Sequence, residues 1–277
     1  MTDTVTAAAE ADLALKTKHR AVWASGDYAA VAREVIPTLG ETLVEAADVR
    51  PGDLVLDVAA GTGNATIPAA RTGARVSAND LSPELLAQGE RAASAEGLTI
   101  DWTPGDAESL PYDAGGFDVV LSCVGVMFAP HHQAAADELL RVCRPGGTIA
   151  LISWTPKGYI GQLFAALKPF VAPPPPGAQP PPLWGDPDHV AALFGNRVTD
   201  ARYERRLLSV DRFATPEEFR DFFRDNYGPT LAAYRNVGED AERRAALDLA
   251  VTGLAAQHLR DGVMHWEYLL LTARCAG

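Results

Sequence analysis

The sequence predicts an α/β fold, a mostly parallel sheet with helices on both faces, and two stretches carry that expectation. Leu54 to Val58 is an apolar run interrupted only by Asp57, and it ends in the small-residue turn Ala59-Ala60-Gly61-Thr62-Gly63. Val55, Leu56 and Val58 suit a strand buried on both faces, as strands of parallel sheets are. Ala74 to Asp80 reads as the next strand and ends in a second carboxylate, about 20 residues after the turn, where doubly wound nucleotide folds grip ribose hydroxyls.

Ahead of the first strand, Ala11 to Ala47 is dominated by Ala, Leu and Glu, with Val31, Val35, Leu39 and Leu43 at helical spacing. A helix pair is expected there. In the turn, Gly61 and Gly63 allow backbone conformations and a close ligand approach that a side chain would block. Asn64 to Arg71 is expected to open a helix whose N-terminus faces that ligand. After the second strand, Ser82 and Pro83 offer an N-cap and a first-turn proline for a helix through Glu84-Leu85-Leu86. Asp80 then falls on a strand-to-helix loop, the place where such sheets bind ligands.

The charges decide which ligand. A dinucleotide turn of the G-x-G-x-x-G type needs a third glycine, and that position is Thr66. Asp57 would face an anionic pyrophosphate across a dry pocket, whereas an ammonium or sulfonium group would be attracted to it. Two acceptor oxygens on Asp80 match a vicinal diol.

These residues resemble the class I S-adenosylmethionine-dependent methyltransferases, especially those of ubiquinone and menaquinone biosynthesis. The resemblance runs from about Val49 to Trp154. It rests on Val55-Leu56-Asp57 with Ala60-Gly61-Thr62-Gly63, on Asp80, on Gly105-Asp106-Ala107-Glu108-Ser109-Leu110-Pro111, on Phe117-Asp118-Val119-Val120, and on Arg141-Val142-Cys143-Arg144-Pro145-Gly146-Gly147. Two departures stand out. Ala59 occupies the usual first-glycine position, and no Asn-Pro-Pro-Tyr motif follows the fourth strand, which counts against methylation of nucleic-acid bases. The resemblance implies a Rossmann-like seven-stranded sheet with the last strand antiparallel beside the fifth, and S-adenosyl-L-methionine as cofactor. It also implies that Asp57, Ala59, Gly61 and Gly63 surround the methionine portion, that Asp80 holds the ribose, and that Leu81 packs on adenine. Asp106 and Ala107 would meet the adenine edge, and Cys123 would flank the reacting face as a small packing residue. The helices of residues 11–47 would cover the cofactor cleft, with His19, Trp23 and Tyr28 as candidate contacts.

Thr148 to Trp154 is expected as the fifth strand. Beyond it, Pro173 to Pro182 is too proline-rich for helix or sheet and should be extended. Its position at the C-terminal edge of the sheet suggests a flap over a substrate, with Trp184, His189 and Phe194 close behind. Val198 to Val210 is expected as the sixth strand and Met264 to Ala273 as the last. Thr215-Pro216-Glu217-Glu218 should start a helix through Phe219, Phe222 and Phe223, and a longer one should run from about Glu239 to Leu259. The expected organisation is one domain over 1–277: a helical cap at 11–47, a cofactor-binding core at 49–154, a proline-rich lid at 155–197, and C-terminal strands and helices at 198–277.

Composition narrows the partners. With 277 residues and 47% hydrophobic content the chain supports one large α/β domain. Three cysteines without paired spacing argue against a disulfide framework or a zinc site, and Cys143 and Cys275 read as structural. Met1 to Arg20 lacks a secretory apolar core and no apolar run reaches bilayer length, so a cytoplasmic protein without a membrane partner is expected. A formal charge of -12 repels phosphate backbones, so nucleic acid is not an expected partner. Lys16, Lys18, His19 and Arg20 read as a solvated helix face. Asp137 and Glu138, adjacent in sequence, make no metal site. Nothing in the composition sets an oligomeric state.

The implied chemistry is methyl transfer to a small-molecule acceptor by in-line displacement, which asks the protein to align two reactants and exclude water. A hydroxyl or protonated amine acceptor also needs a base. His131 and His132, just beyond the fourth strand after Met127-Phe128-Ala129-Pro130, are the expected candidates; the competing expectation is a helix cap for one and an exposed position for the other. Two other functions stay open: a nicotinamide oxidoreductase, and a cofactor-binding protein that transfers no methyl group.

Overall fold

A computed structural model describes residues 2–276, with side chains from residue 12 onward; part of the Met1 to Arg20 reading therefore lies outside the described residues. Three helices, α1 (Thr2–Trp23), α2 (Tyr28–Glu34) and α3 (Leu39–Ala46), precede the sheet, where a pair was expected. The alternating half follows: β1 (Leu54–Val58), α4 (Thr66–Arg71), β2 (Arg75–Asp80), α5 (Pro83–Ala95), β3 (Asp101–Pro104), β4 (Phe117–Cys123), α6 (His132–Val142) and β5 (Cys143–Trp154). The remainder is α7 (Tyr159–Leu167), α8 (Pro187–Phe194), β6 (Val198–Val210), α9 (Pro216–Asn226), α10 (Gly228–Val237), α11 (Ala241–His258) and β7 (Met264–Cys275).

The seven strands form one sheet in the order β3-β2-β1-β4-β5-β7-β6. β7 runs antiparallel to both β5 and β6, and the pairs from β3 through β5 are parallel. Val55, Leu56, Val58, Val120 and Leu121 are sealed inside, which is why the central strands read as apolar runs rather than alternating ones. The chain reverses its winding between β1 and β4, and at such a switch point the loops leaving the strand ends part to form a crevice.

Local signals explain several boundaries. Ser82 Oγ accepts the Leu85 N–H at 3.4 Å and Thr215 Oγ1 accepts the Glu218 N–H at 3.2 Å, so both expected N-caps are formed. The helix expected from Asn64 begins at Thr66, because residues 62–65 are spent in the turn. β5 begins at Cys143, five residues before the expected start. The pairing shifts register between Phe117 and Val119, so that the Arg144-Pro145-Gly146-Gly147 turn is absorbed as a bulge. The proline-rich stretch is not wholly extended: Gly177 sits at φ +89° in a turn, and Pro181–Gly185 forms a 3-10 helix. That helix packs hard on the end of β5, since a Cβ added at Gly185 would fall 2.2 Å from the Trp154 carbonyl oxygen.

Candidate active site

The loops leaving β1, β2 and β4 converge. The Ala60 N–H donates to the Asn79 carbonyl at 2.9 Å, tying the β1 turn to β2. A Cβ at Gly125 would lie 2.2 Å from the Ala59 carbonyl oxygen, so only glycine lets the β4 loop approach so closely. Ala59 itself holds φ +53°, a left-handed conformation that suits the glycine the position usually carries.

Asp80 is the anchor. It is 8% exposed; its Oδ2 accepts the Gly61 N–H at 2.8 Å and its Oδ1 accepts the Ser82 N–H at 2.8 Å. Each oxygen keeps lone-pair capacity for a further donor. Burial pushes this carboxyl up to about 6 although the two amides oppose the shift.

In front of Asp80 lies a cleft of about 790 Å³, counting its open mouth. Ala59, Gly61, Asp80, Leu81, Asp106, Ala107 and Cys123 all line it, so one hollow gathers most of the expected cofactor residues from four separate segments. Lys16, His19 and Trp23 of α1 and Tyr28 of α2 complete the wall. None of residues 155–197, expected as the lid, lines this cleft.

Two expected cofactor residues are not in the lining. Gly63 holds φ +90°, and a Cβ there would come within 3.0 Å of the Trp102 ring, so its glycine serves the turn and its packing. Asp57 is 1% exposed and lies behind the turn, where its Oδ2 accepts the Thr66 hydroxyl at 2.6 Å. Its Oδ1 is buried without a partner among the described residues. Desolvation pushes Asp57 up to about 7. It therefore ties β1 to the start of α4 and is not among the residues lining the cleft.

The expected base pair also lies outside the lining. The His131 Nδ1 sits 2.8 Å from Glu108 Oε2 and 3.6 Å from Asp12 Oδ1. Its backbone N–H donates to Glu108 Oε1 at 2.6 Å, and the residue stands at the N-cap position of α6 without a side-chain capping bond. His132 is neither capping nor exposed: it is fully buried, with Nδ1 2.9 Å from His189 Nε2 and its ring 5.6 Å from that of Trp184. Burial pulls it down to about 4, so it is neutral at physiological pH. The histidine that does line the cleft is His19, also lowered by burial.

Within the basic cluster on α1, Lys18 and Arg20 are exposed as expected, but Lys16 and His19 are not. Lys16 is 13% exposed, and its Nζ lies 2.8 Å from Asp12, 2.5 Å from Asp106 and 2.8 Å from Glu108. Burial disfavours its charge, but these three carboxylates outweigh that and raise its pKa. Arg20 pairs with Glu84 at 2.7 Å. Asp12, Glu108 and His131 bring ligand atoms within 4.8 Å of one another, and the Lys16 ammonium already supplies positive charge to both carboxylates. Sequence reading missed this because two of the acids, Asp106 and Glu108, lie far along the chain from the lysine, on a loop it placed at adenine.

Comparison with known proteins points the same way. A family model described as "Methyltransferase domain" matches residues 55–147. An uncharacterized protein of Mycobacterium tuberculosis is 51% identical over 258 residues, covering 93% of this chain and 94% of that protein. A demethylmenaquinone methyltransferase of Paenarthrobacter aurescens is 30% identical over 197 residues, 65% of this chain and 76% of its own. Among solved structures, the YcgJ protein of Bacillus subtilis superposes with a TM-score of 0.59 at 14% identity, over 86% of this chain and 98% of that one, a likeness of fold.

Proposed function

The chain belongs to the class I methyltransferase-domain family, and on that premise we propose that it binds S-adenosyl-L-methionine in the cleft before Asp80 and methylates a small-molecule acceptor. The observation that carries this reading is Asp80 itself. It is a buried carboxylate pinned by the Gly61 and Ser82 amides with acceptor capacity left over, in a cleft that Asp106 and Ala107 also line.

These residues fit the cofactor chemically. Asp80 would accept from the ribose hydroxyls and Leu81 would pack on adenine; Asp106 would accept from the exocyclic amine while the Ala107 N–H donates to a ring nitrogen. The Ala59-to-Gly61 turn, which carries no side chain at Gly61, would lie against the methionine portion. When bound, the cofactor would supply an electrophilic sulfonium methyl for an acceptor lone pair to bond, the thioether sulfur leaving with the electrons of the broken C–S bond. The α1 cover excludes water from that event. His19, in the lining, is placed to take a proton from a protic acceptor; His131 acts on Glu108, and the walled-in His132 has no proton-transfer role in this reading. We assign Asp57 to holding the turn rather than to the cofactor.

No described helix is long and apolar enough to cross a membrane. All three cysteines are free, and Cys143 and Cys275 lie against each other as thiols, which supports the cytoplasm as the compartment.

Calorimetric titration tests the reading. S-adenosylmethionine and S-adenosylhomocysteine should bind and NADH should not; NADH binding with no sulfonium affinity would replace this function with an oxidoreductase. Asp80→Ala should weaken S-adenosylhomocysteine binding by about 1–3 kcal/mol, the range for losing hydrogen bonds to a charged partner. Unchanged affinity would remove Asp80 from the site.

A further inference from the structure

Two sulfurs that the cleft does not use stand at the opposite end of the sheet. Cys143 opens β5 and is in register with Phe117, the first residue of β4, whereas the cleft forms where β4 ends. Cys275 closes β7. Because β7 runs antiparallel to β5, its last residues lie beside the first residues of β5.

The bulge in β5 brings the two thiols together. Thr148 pairs with Arg274, so the next step of the same register sets Gly147 opposite Cys275. Directly opposed residues of an antiparallel pair send their side chains to one face, about 4.5–5.5 Å apart at Cβ. Gly147 has no side chain, and a Cβ built there would lie 2.7 Å from Cys143 Sγ. The Cys143 sulfur thus fills the place of the missing side chain and meets Cys275 as its cross-strand neighbour. A side chain at 147 would collide with that sulfur and, at 2.9 Å, with the Arg144 and Asp118 carbonyl oxygens.

Both residues are nearly sealed, at 3% and 5% exposure, and burial ordinarily silences a thiol. Cys123 is such a case: desolvation raises it, and the nearby Asp57 adds to the shift. The surroundings of the pair differ. The Cys143 S–H donates to the Cys275 sulfur, which pushes Cys143 up and pulls Cys275 below its usual range. Arg144 and Arg274 add positive charge beside Cys143, and Arg274 Nη1 reaches the Gly146 carbonyl at 3.4 Å. Cys275 is thereby the better nucleophile, with Cys143 in place to resolve it.

We propose that Cys143 and Cys275 are a peroxide-responsive thiol pair that closes into a disulfide and staples β7 to the start of β5. The Cys275 thiolate attacks one oxygen of hydrogen peroxide; the O–O bond breaks, hydroxide leaves with its electrons, and a sulfenic acid forms. The Cys143 sulfur then bonds to the Cys275 sulfur as the S–O bond breaks, and the departing hydroxide takes the Cys143 proton. Two thiols are oxidised to one disulfide and one peroxide is reduced to two waters. A dithiol reverses the step by exchange. Paired thiols that join only transiently suit a reducing compartment.

The staple would reinforce an existing junction. Arg144 Nε donates to Asp118 Oδ1 at 2.6 Å, and Asp118 Oδ2 accepts the Leu54 N–H at 2.8 Å, so the start of β5 is already tied to β4 and β1. A disulfide adds β7 to that junction and restricts the unfolded chain across the long loop from 143 to 275.

The proposal does not depend on what the cleft binds. The reduced full chain, exposed to hydrogen peroxide, should lose two hydrogens in its intact mass and yield one cross-linked peptide pair holding Cys143 and Cys275, with Cys123 still a thiol. Its Tm should rise by several degrees and return on adding dithiothreitol. Cys143→Ser should abolish the cross-link and leave on Cys275 a sulfenic acid that dimedone captures; Cys275→Ser should abolish the cross-link and leave Cys143 uncaptured. If either serine variant folds poorly, the cross-link and the Tm of the wild-type protein decide without it. Thiols that stay reduced in the folded chain, a disulfide that involves Cys123 or joins two copies, or a cross-link that leaves Tm unchanged or lowers it overturns the proposal. Capture at Cys143 in Cys275→Ser overturns the assignment of the nucleophile.

Discussion

A carboxyl buried at a turn, with one oxygen on the Thr66 hydroxyl and the other unpartnered, resists ionisation, and burial accordingly pushes Asp57 up to about 7. A carboxyl whose folded-state pKa lies above its unfolded value contributes stability at low pH and loses it as pH rises through the folded value. For Asp57 that window runs from the ordinary 3.8 to about 7. Asp57→Asn cannot ionise, so its melting temperature relative to wild type should rise as pH goes from 5 to 8.5 in the unliganded protein. A constant offset across that range would show that Asp57 does not titrate there. The sequence made Asp57 look like a partner for a cationic group and Asp80 like the grip on a ribose. Which of two acids at a strand end faces the ligand depends on the pleat and on what packs behind it, and Thr66, read only as a failed third glycine, is the residue that captures Asp57. Ala59 was legible as a departure from glycine, but its left-handed backbone appears only in the fold.

Helices whose ends carry their own chemistry were legible; the helix held by distant charges was not. Ser82 and Thr215 announced α5 and α9 because a cap is a local hydrogen bond. α1 gives no such signal for its packing, since it is docked through Lys16 on Asp106 and Glu108 and through Arg20 on Glu84, and a helix held by ion pairs looks solvated in sequence. Removing the lysine leaves three carboxylates facing one another in a half-buried cluster. Lys16→Met keeps helix propensity and stem length, yet hydrogen exchange of α1 amides from residue 12 to 23 should rise about tenfold, the equivalent of about 1.4 kcal/mol of local opening. Amides of β1 and β4 should keep their protection. Unchanged exchange in α1 would mean that apolar contacts such as those of Trp23, not the ion pairs, hold the cover.

At the scale of the molecule the parallel core was legible because its central strands are apolar on both faces and acid-ended loops follow them, while the seven-stranded order came from the family resemblance. The full wall of the cleft was invisible, since only the closed fold brings Lys16, His19 and Trp23 of α1 against the loops at the strand ends. The same convergence makes the cleft a global clamp: a ligand touching the loops after β1, β2, β3 and β4 binds the folded chain and not the unfolded one. At 100 times its dissociation constant, S-adenosylhomocysteine should therefore add about 2.7 kcal/mol to unfolding, a rise of several degrees in Tm for a chain of this length. That gain should depend on pH with a definite sign. Asp80, pushed up to about 6 in the free protein, must be a carboxylate to accept from two hydroxyls, so a proton leaves on binding and affinity falls as pH drops below 6. The ligand-induced rise in Tm should be larger at pH 8 than at pH 5, and Asp80→Asn should shrink the rise at pH 8 and flatten the difference. A rise independent of pH in the wild-type protein would show that Asp80 keeps its proton in the complex, and the ribose would then need another acceptor.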